Sequence, residues 1–379
     1  MFLRHSGRGM ACTAKGAVML EQVITTLEQV TTEWLTAVLN HSGALKQGAV
    51  RAFDMDTGES NWSSNARLTI HYAAASQGTL PHHLFLKLVN TDLEDEFFGP
   101  SEVLYYTRDY VDVADAPLIR CYDAAYSAEQ HRYHLLLDDV SATHITAGTI
   151  PPTLDYGLAL AEAFAILHAR WWGVQRLASA GAPWHDAHHI QRFVNIAEPG
   201  MEHIITHCSA ELKPHWPDLM RDFFAYHPAI MIARAQDANG FTLIHGDAGP
   251  YNIMVPQNGS RPLYLIDRQP FDWSLTTWLG VYDLAFALVL DWDSEIRRNL
   301  EKPVLQHYHQ HLLQRGVTDY SWEQLWDDYR LAAAMGITIA TEYCRDGLNV
   351  PAQRYWLPRL QKALTACDDL NCRQQWQKV

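Results

Sequence analysis

Between residues 21 and 39 the apolar side chains Val23, Ile24, Leu27, Val30, Trp34, Leu35 and Val38 recur at three- and four-residue steps, which predicts an amphipathic helix. The pattern then changes. Residues 49–54, 66–73 and 84–89 are short aliphatic and aromatic runs divided by Gly, Ser, Asn and Pro, and they read as antiparallel strands. A helical pattern at 100–111 is followed by two further strand-like runs, at 119–122 and 134–137. Beyond Val140 long helical patterns take over, at 158–172, 189–207, 219–234, 294–313 and 322–343, interrupted by turns and short strands over 241–272. This order predicts an α+β chain: a small antiparallel β-rich lobe at 21–140, a larger, mainly helical lobe at 141–379, and a polar hinge at 138–141.

Composition narrows the partners. The chain has 379 residues, 48% hydrophobic and 19% charged, enough for a large core and about two domains. Its 29 Lys and Arg against 43 Asp and Glu leave a net charge of -14, which repels nucleic acid and anionic bilayers and leaves small cationic ligands possible. Six cysteines lie far apart with no CxxC pair, which fits a reducing cytoplasm. Residues 1–20 are basic in places but lack a sustained apolar stretch, so they make neither a signal peptide nor a membrane span. Met10 and Met19 offer alternative starts, and this stretch reads as a flexible extension without assigned function.

The chemistry concentrates in one place. An apolar run from Thr242 feeds a turn holding His245, Gly246, Asp247 and Asn252, and a second apolar run from Leu263 ends in Asp267. Two acids and an amide are thereby gathered at the mouth of an expected hairpin. Phosphoryl transfer from ATP needs such a set, since a hydroxyl must be oriented for in-line attack and the triphosphate charge neutralised by metal ions. Asp247 suits the proton acceptor, while Asn252 and Asp267 offer the hard oxygens that Mg²⁺ prefers.

The pattern HGDxxxxN followed by IDxQ resembles the aminoglycoside phosphotransferase and choline-kinase-like superfamily, and within it the ecdysteroid-kinase-like branch. Further landmarks match in order: Trp34 to Leu39, Pro81 to Lys87, Glu102 to Tyr106, Leu136 to Ser141 and Leu167 to Trp172. The resemblance implies a bilobal protein-kinase-like fold and a small-molecule kinase using ATP and Mg²⁺ on a hydroxylated acceptor. It implies that Lys87 touches the ATP phosphates and is held by Glu102. Backbone groups from Leu137 to Asp139 would bind the adenine edge, and Asp283 would brace the catalytic loop. The nucleotide loop at 58–65 has one glycine and relies on Ser and Asn, with Ser64 taken as its phosphate contact and Ser60, Asn61 and Ser63 left open. Arg268, where many relatives carry an aromatic residue, implies a more cationic pocket.

Blander readings stand beside these. Lys87 lies between Leu84-Phe85-Leu86 and Leu88-Val89, where an idle exposed lysine is unusual. His168 reads as a hydrogen-bonded core histidine, and His245 as a residue that shapes its loop. The groups His185/His188/His189, His203/His207 and His307/His309/His311 have no cysteine partners at zinc-like spacing and are read as solvated helix faces, with no zinc assigned. The many tryptophans of the second half read mainly as core, with Asp272 and Trp273 expected near the acceptor. A catalytically silent ligand-binding protein, or a kinase for a cationic acceptor of aminoglycoside or choline type, are the alternative functions.

Overall fold

The computed structural model describes residues 22–59, 63–93, 96–97, 99–179, 184–258, 261–271 and 273–376. The proposed extension at 1–20, and Ser60, Asn61 and Asp272, lie outside them. Backbone packing divides the chain into two units. The first runs up to Asn90 and resumes at Cys121–Asp139; the second comprises Thr91–Arg120 and everything from Val140 onward.

The first unit is a five-stranded antiparallel sheet with one helix, α1 (Thr32–His41). Its strands are β1 (Val50–Glu59), β2 (Ser63–Tyr72), β3 (His83–Asn90), β4 (Cys121–Ser127) and β5 (Arg132–Asp138), in the spatial order β1-β2-β3-β5-β4. Trp34, Leu35, Val38 and Leu39 of α1 pack with Leu68, Ile70, Leu84, Leu86 and Leu136 into one core. The helix expected over 21–39 begins only at Thr32. The Thr31 hydroxyl accepts the Trp34 N–H at 3.1 Å, and Val30 is extended, so a capping threonine stops the helix from growing backward. Leu27–Gln29 forms a single tight turn instead.

The second unit is mainly helical. Its inserted helix α2 (Ser101–Leu104) widens into a π-type turn over Tyr105–Asp109. Then come β6 (His144–Thr146), α3 (Leu154–Arg170), α4 (Ala187–Asn195), α5 (Glu198–His207) and α6 (Trp216–Arg234). The pattern at 189–207 is thus two helices, because Pro199 lacks an N–H and sits where only a first turn tolerates it. Four short strands follow: β7 (Phe241–Leu243), β8 (Ile253–Pro256), β9 (Tyr264–Leu265) and β10 (Thr277–Leu279). The chain ends with α7 (Val281–Ala285), α8 (Ser294–Gln314), α9 (Trp322–Glu342) and α10 (Gln353–Asp369). The sequence reading did not extend to α10, where Trp356, Leu360, Ala363, Leu364 and Cys367 bury one face at helical spacing. Trp278 and Trp356 are fully buried, as core tryptophans should be. Among the described residues, no helix is long and apolar enough to cross a membrane.

Candidate active site

The residues 244–252 connect two small sheets. β7 pairs antiparallel with β10, whereas β8 lies between β6 and β9. The expected hairpin mouth is built by β8 and β9, which Asn252 and Asp267 flank, whereas the run entering the turn takes as its partner a strand, β10, that lies beyond the second acid in sequence. Three backbone bonds close the loop. The Gln269 N–H donates to the His245 carbonyl at 3.0 Å, the Ile266 N–H to Asn252 at 2.9 Å and the Asn252 N–H to Gly249 at 2.9 Å. Gly246 has φ +80, and a Cβ there would lie 3.0 Å from the Gln269 Cβ, so both conformation and space require glycine. Asp267 also adopts a left-handed conformation, φ +57, at a cost of about 1–2 kcal/mol for a residue with a Cβ. Strain of this kind gathers where a side chain must be aimed rather than merely packed.

Beneath the loop, fully buried Asp283 of α7 accepts the His245 N–H at 2.6 Å on one oxygen and the Gly246 N–H at 2.8 Å on the other. His168 Nε2 lies 3.0 Å from Asp283 Oδ2, and Nδ1 lies 2.9 Å from the Tyr308 hydroxyl. Because a carboxylate only accepts, Nε2 carries the proton and Nδ1 accepts from Tyr308. His168 is thus a core histidine inside a Tyr–His–Asp chain that ends on the loop backbone. His245 is buried and kept neutral by burial, which pushes its pKa down; its Nε2 donates to the Ile266 carbonyl at 2.8 Å. It ties the two segments together, as a loop-shaping residue would.

Asp247 and Asn252 meet. The Asn252 Nδ2 donates to the Asp247 backbone carbonyl at 3.0 Å and to its Oδ2 at 2.9 Å. Burial raises the Asp247 pKa to about 6, opposed by the Arg359 guanidinium and reinforced by the neighbouring charge of Asp267. The repulsion shows that Asp267 and Asp247 share one electrostatic neighbourhood. With its amide nitrogen spent on Asp247, Asn252 keeps Oδ1 without a hydrogen-bond donor among the described residues. An amide oxygen beside two carboxylates is a hard-oxygen donor set with excess negative charge, which fits Mg²⁺.

Two arginines near the loop behave differently from any sequence expectation. Arg268 does not make a cationic pocket: it is 5% exposed and donates from Nη1 to the fully buried Asp109 carboxylate at 2.6 Å. Its charge is consumed in tying the segment after Asp267 to the inserted helical turn. Arg359, which sequence reasoning passed over with α10, reaches the loop instead. A Cβ built on Gly249 would lie 3.7 Å from both Arg359 Nη2 and Asp247 Oδ1. Arg359 is held by Asp291, whose Oδ1 accepts from Nη2 at 3.0 Å and Nε at 3.2 Å. The apolar spacing of α10 was the available signal for it.

In the first unit, Lys87 stands opposite Asn65 on β2 and Leu135 on β5, while its neighbours Leu86 and Leu88 point into the core on the other face. Ser64 is registered with Leu88, so it projects from the face opposite Lys87; Asn65 accompanies the lysine instead. The Asn65 Oδ1 would be 2.7 Å from a Cβ on Gly58, so a larger residue there would turn the Asn65 amide aside. Leu137 is buried within β5, and the Asp139 N–H donates to the His83 carbonyl at 3.1 Å. Glu102 is 2% exposed on α2 in the second unit. Trp273 stacks with Phe271 and Phe193 at centroid distances of 5.3 and 6.4 Å.

An antiparallel sheet unit, a helical unit and an acid-and-amide loop braced by a buried aspartate define a kinase-like fold. The ecdysteroid kinase-like family model matches residues 186–317, which bears out the resemblance read from the motifs. A glucosamine kinase superposes with a TM-score of 0.53 at 14% identity, covering 90% of this chain and 84% of its own. Spectinomycin phosphotransferase in complex with ADP and spectinomycin gives 0.49 at 12% identity over 91% and 99%. Choline kinase LicA from Streptococcus pneumoniae gives 0.46 at 13% over 88% and 98%. At 14% identity the glucosamine kinase likeness speaks to the fold alone. No curated protein sequence matches the chain.

Proposed function

We propose that the protein is an ATP- and Mg²⁺-dependent phosphotransferase that moves the γ-phosphoryl group to a hydroxyl of a small molecule. One observation carries the reading: Asp247, fixed through Asn252 on a loop that Asp283 holds from below. Asp247 has one oxygen occupied by the Asn252 amide and accepts the proton of the acceptor hydroxyl on the other. Asn252 Oδ1 and the Asp267 carboxylate would hold Mg²⁺, which when bound neutralises phosphate charge. In the first unit Lys87, with Asn65 on its face, receives the triphosphate, and the backbone around Leu137 and Asp139 receives the adenine.

The acceptor class follows from the loop's surroundings. A cavity of about 150 Å³ is lined by Ile150, Tyr156, Ala248, Tyr251, Asp291 and Trp292, enough for a ring-sized group. Its one acid, Asp291, is ion-paired with Arg359 through Oδ1, which leaves the pair neutral and favours a neutral hydroxylated acceptor over a cation.

The test is ATP consumption with Mg²⁺ across neutral polyols, hydroxylated ring compounds and amino alcohols, with Asp247→Ala as control. Acceptor-dependent turnover that falls by at least about a thousandfold in the variant is expected. Absence of both turnover and Mg²⁺-dependent ATP binding would replace the kinase with a silent ligand-binding protein.

A further inference from the structure

The helices α3 and α8 pack along their length, and three side chains with metal-binding chemistry converge on the seam. His307 and His311 are one turn apart on α8, with ring centroids 4.3 Å apart. Glu162 of α3 faces them, its Oε1 4.0 Å from His311 Nδ1. One ligand atom from each lies within 4.8 Å of the others. Bonds of about 2.0–2.2 Å to zinc place ligand atoms roughly 3.5 Å apart, so small side-chain rotations close the gap without moving either helix.

We infer that Glu162, His307 and His311 form a site for a single Zn²⁺ ion, open at its fourth position to water. Two imidazoles and one carboxylate are a borderline-soft set that selects zinc over Mg²⁺, which prefers six oxygens. The His307 and His311 rings are tilted at 49° to one another, and among the described residues no hydrogen bond fixes a ring nitrogen of either. The other histidine groups lack this freedom. His185 Nε2 accepts the Thr276 N–H at 3.0 Å, His203 Nδ1 lies 2.8 Å from the Cys344 carbonyl, and His309 Nε2 lies 2.7 Å from the Tyr320 carbonyl. The position of the site gives it a consequence. Tyr308, between the two ligands on α8, bonds His168 of α3 in the chain that reaches Asp283, so the ion clamps the two helices that hold the catalytic loop from below.

The experiment uses the metal-stripped full-length chain, titrated with Zn²⁺ in millimolar Mg²⁺ against a chromophoric chelator. One equivalent should bind in the wild type and raise the unfolding temperature. Glu162→Gln, an exposed and conservative change, and His311→Ala should each weaken binding by about tenfold or more and abolish that rise, whereas His309→Ala should change neither. Co²⁺ substitution should give ligand-field bands without a thiolate charge-transfer band. No zinc bound by the wild type, equal affinity in Glu162→Gln and His311→Ala, or a thiolate band from the cysteines would overturn the assignment. None of these readings requires kinase turnover.

Discussion

Asp247 is a carboxylate that the fold makes costly. Its pKa of about 6 lies above the ordinary aspartate value, so the folded state binds a proton more tightly than the unfolded chain. The penalty is absent below about pH 4, where both states are protonated, and complete once the pH passes the folded value. Asp247→Asn should therefore stabilise the protein by about 1–2 kcal/mol at pH 7.5 while abolishing turnover, and urea unfolding should find that gain shrinking as the pH falls toward 4. Arg359 acts on the same group in the opposite direction, since its guanidinium favours the ionised form. In Arg359→Met the acid limb of the pH–rate profile should move to higher pH, with most of the lost activity recovered by about pH 8. A limb that stays in place would mean that Arg359 only packs.

At the level of elements, the loop at 244–252 owes its shape to neighbours that are remote in sequence. β7 and β8 hold its ends in different sheets, and Asp283 on α7 fills two of its backbone N–H groups. Gly246 is the weakest point, because its N–H must reach Asp283 while its α-carbon lies against Gln269. Gly246→Ala should cost about 1–3 kcal/mol and lower kcat by tenfold or more, through a displaced Asp247 rather than global unfolding. Circular dichroism and kcat measured together decide between these. The same dependence on remote partners explains what could be read in advance. The strands at 49–54, 66–73, 84–89 and 134–137 alternate in ways that local sequence reports. The pairing of β7 with β10 does not, because three-residue strands carry no period of their own.

Across the whole molecule, the order of elements and the list of chemically apt residues were legible in the sequence. Apolar period separates strand from helix, and Asp247, Asn252 and Asp267 stand out by their combination with two apolar runs, since a glycine turn with one acid is common by itself. Local capping corrected the first helix, and α10 was passed over although its buried stripe was present. What the sequence could not supply was direction and company. A one-residue change of strand face separates Ser64 from Lys87 and puts Asn65 beside it. Arg268 is turned into a buried pair with Asp109, 159 positions away, so its charge never reaches a pocket. Arg359 is brought to the loop by α10, and Glu162 becomes a third ligand for two histidines that look solvated when read alone. Residue chemistry and periodicity are local properties, fixed by covalent structure and short-range sterics. Burial, pKa and the identity of a side chain's partners are set by packing between segments more than a hundred residues apart, and only the tertiary structure decides them.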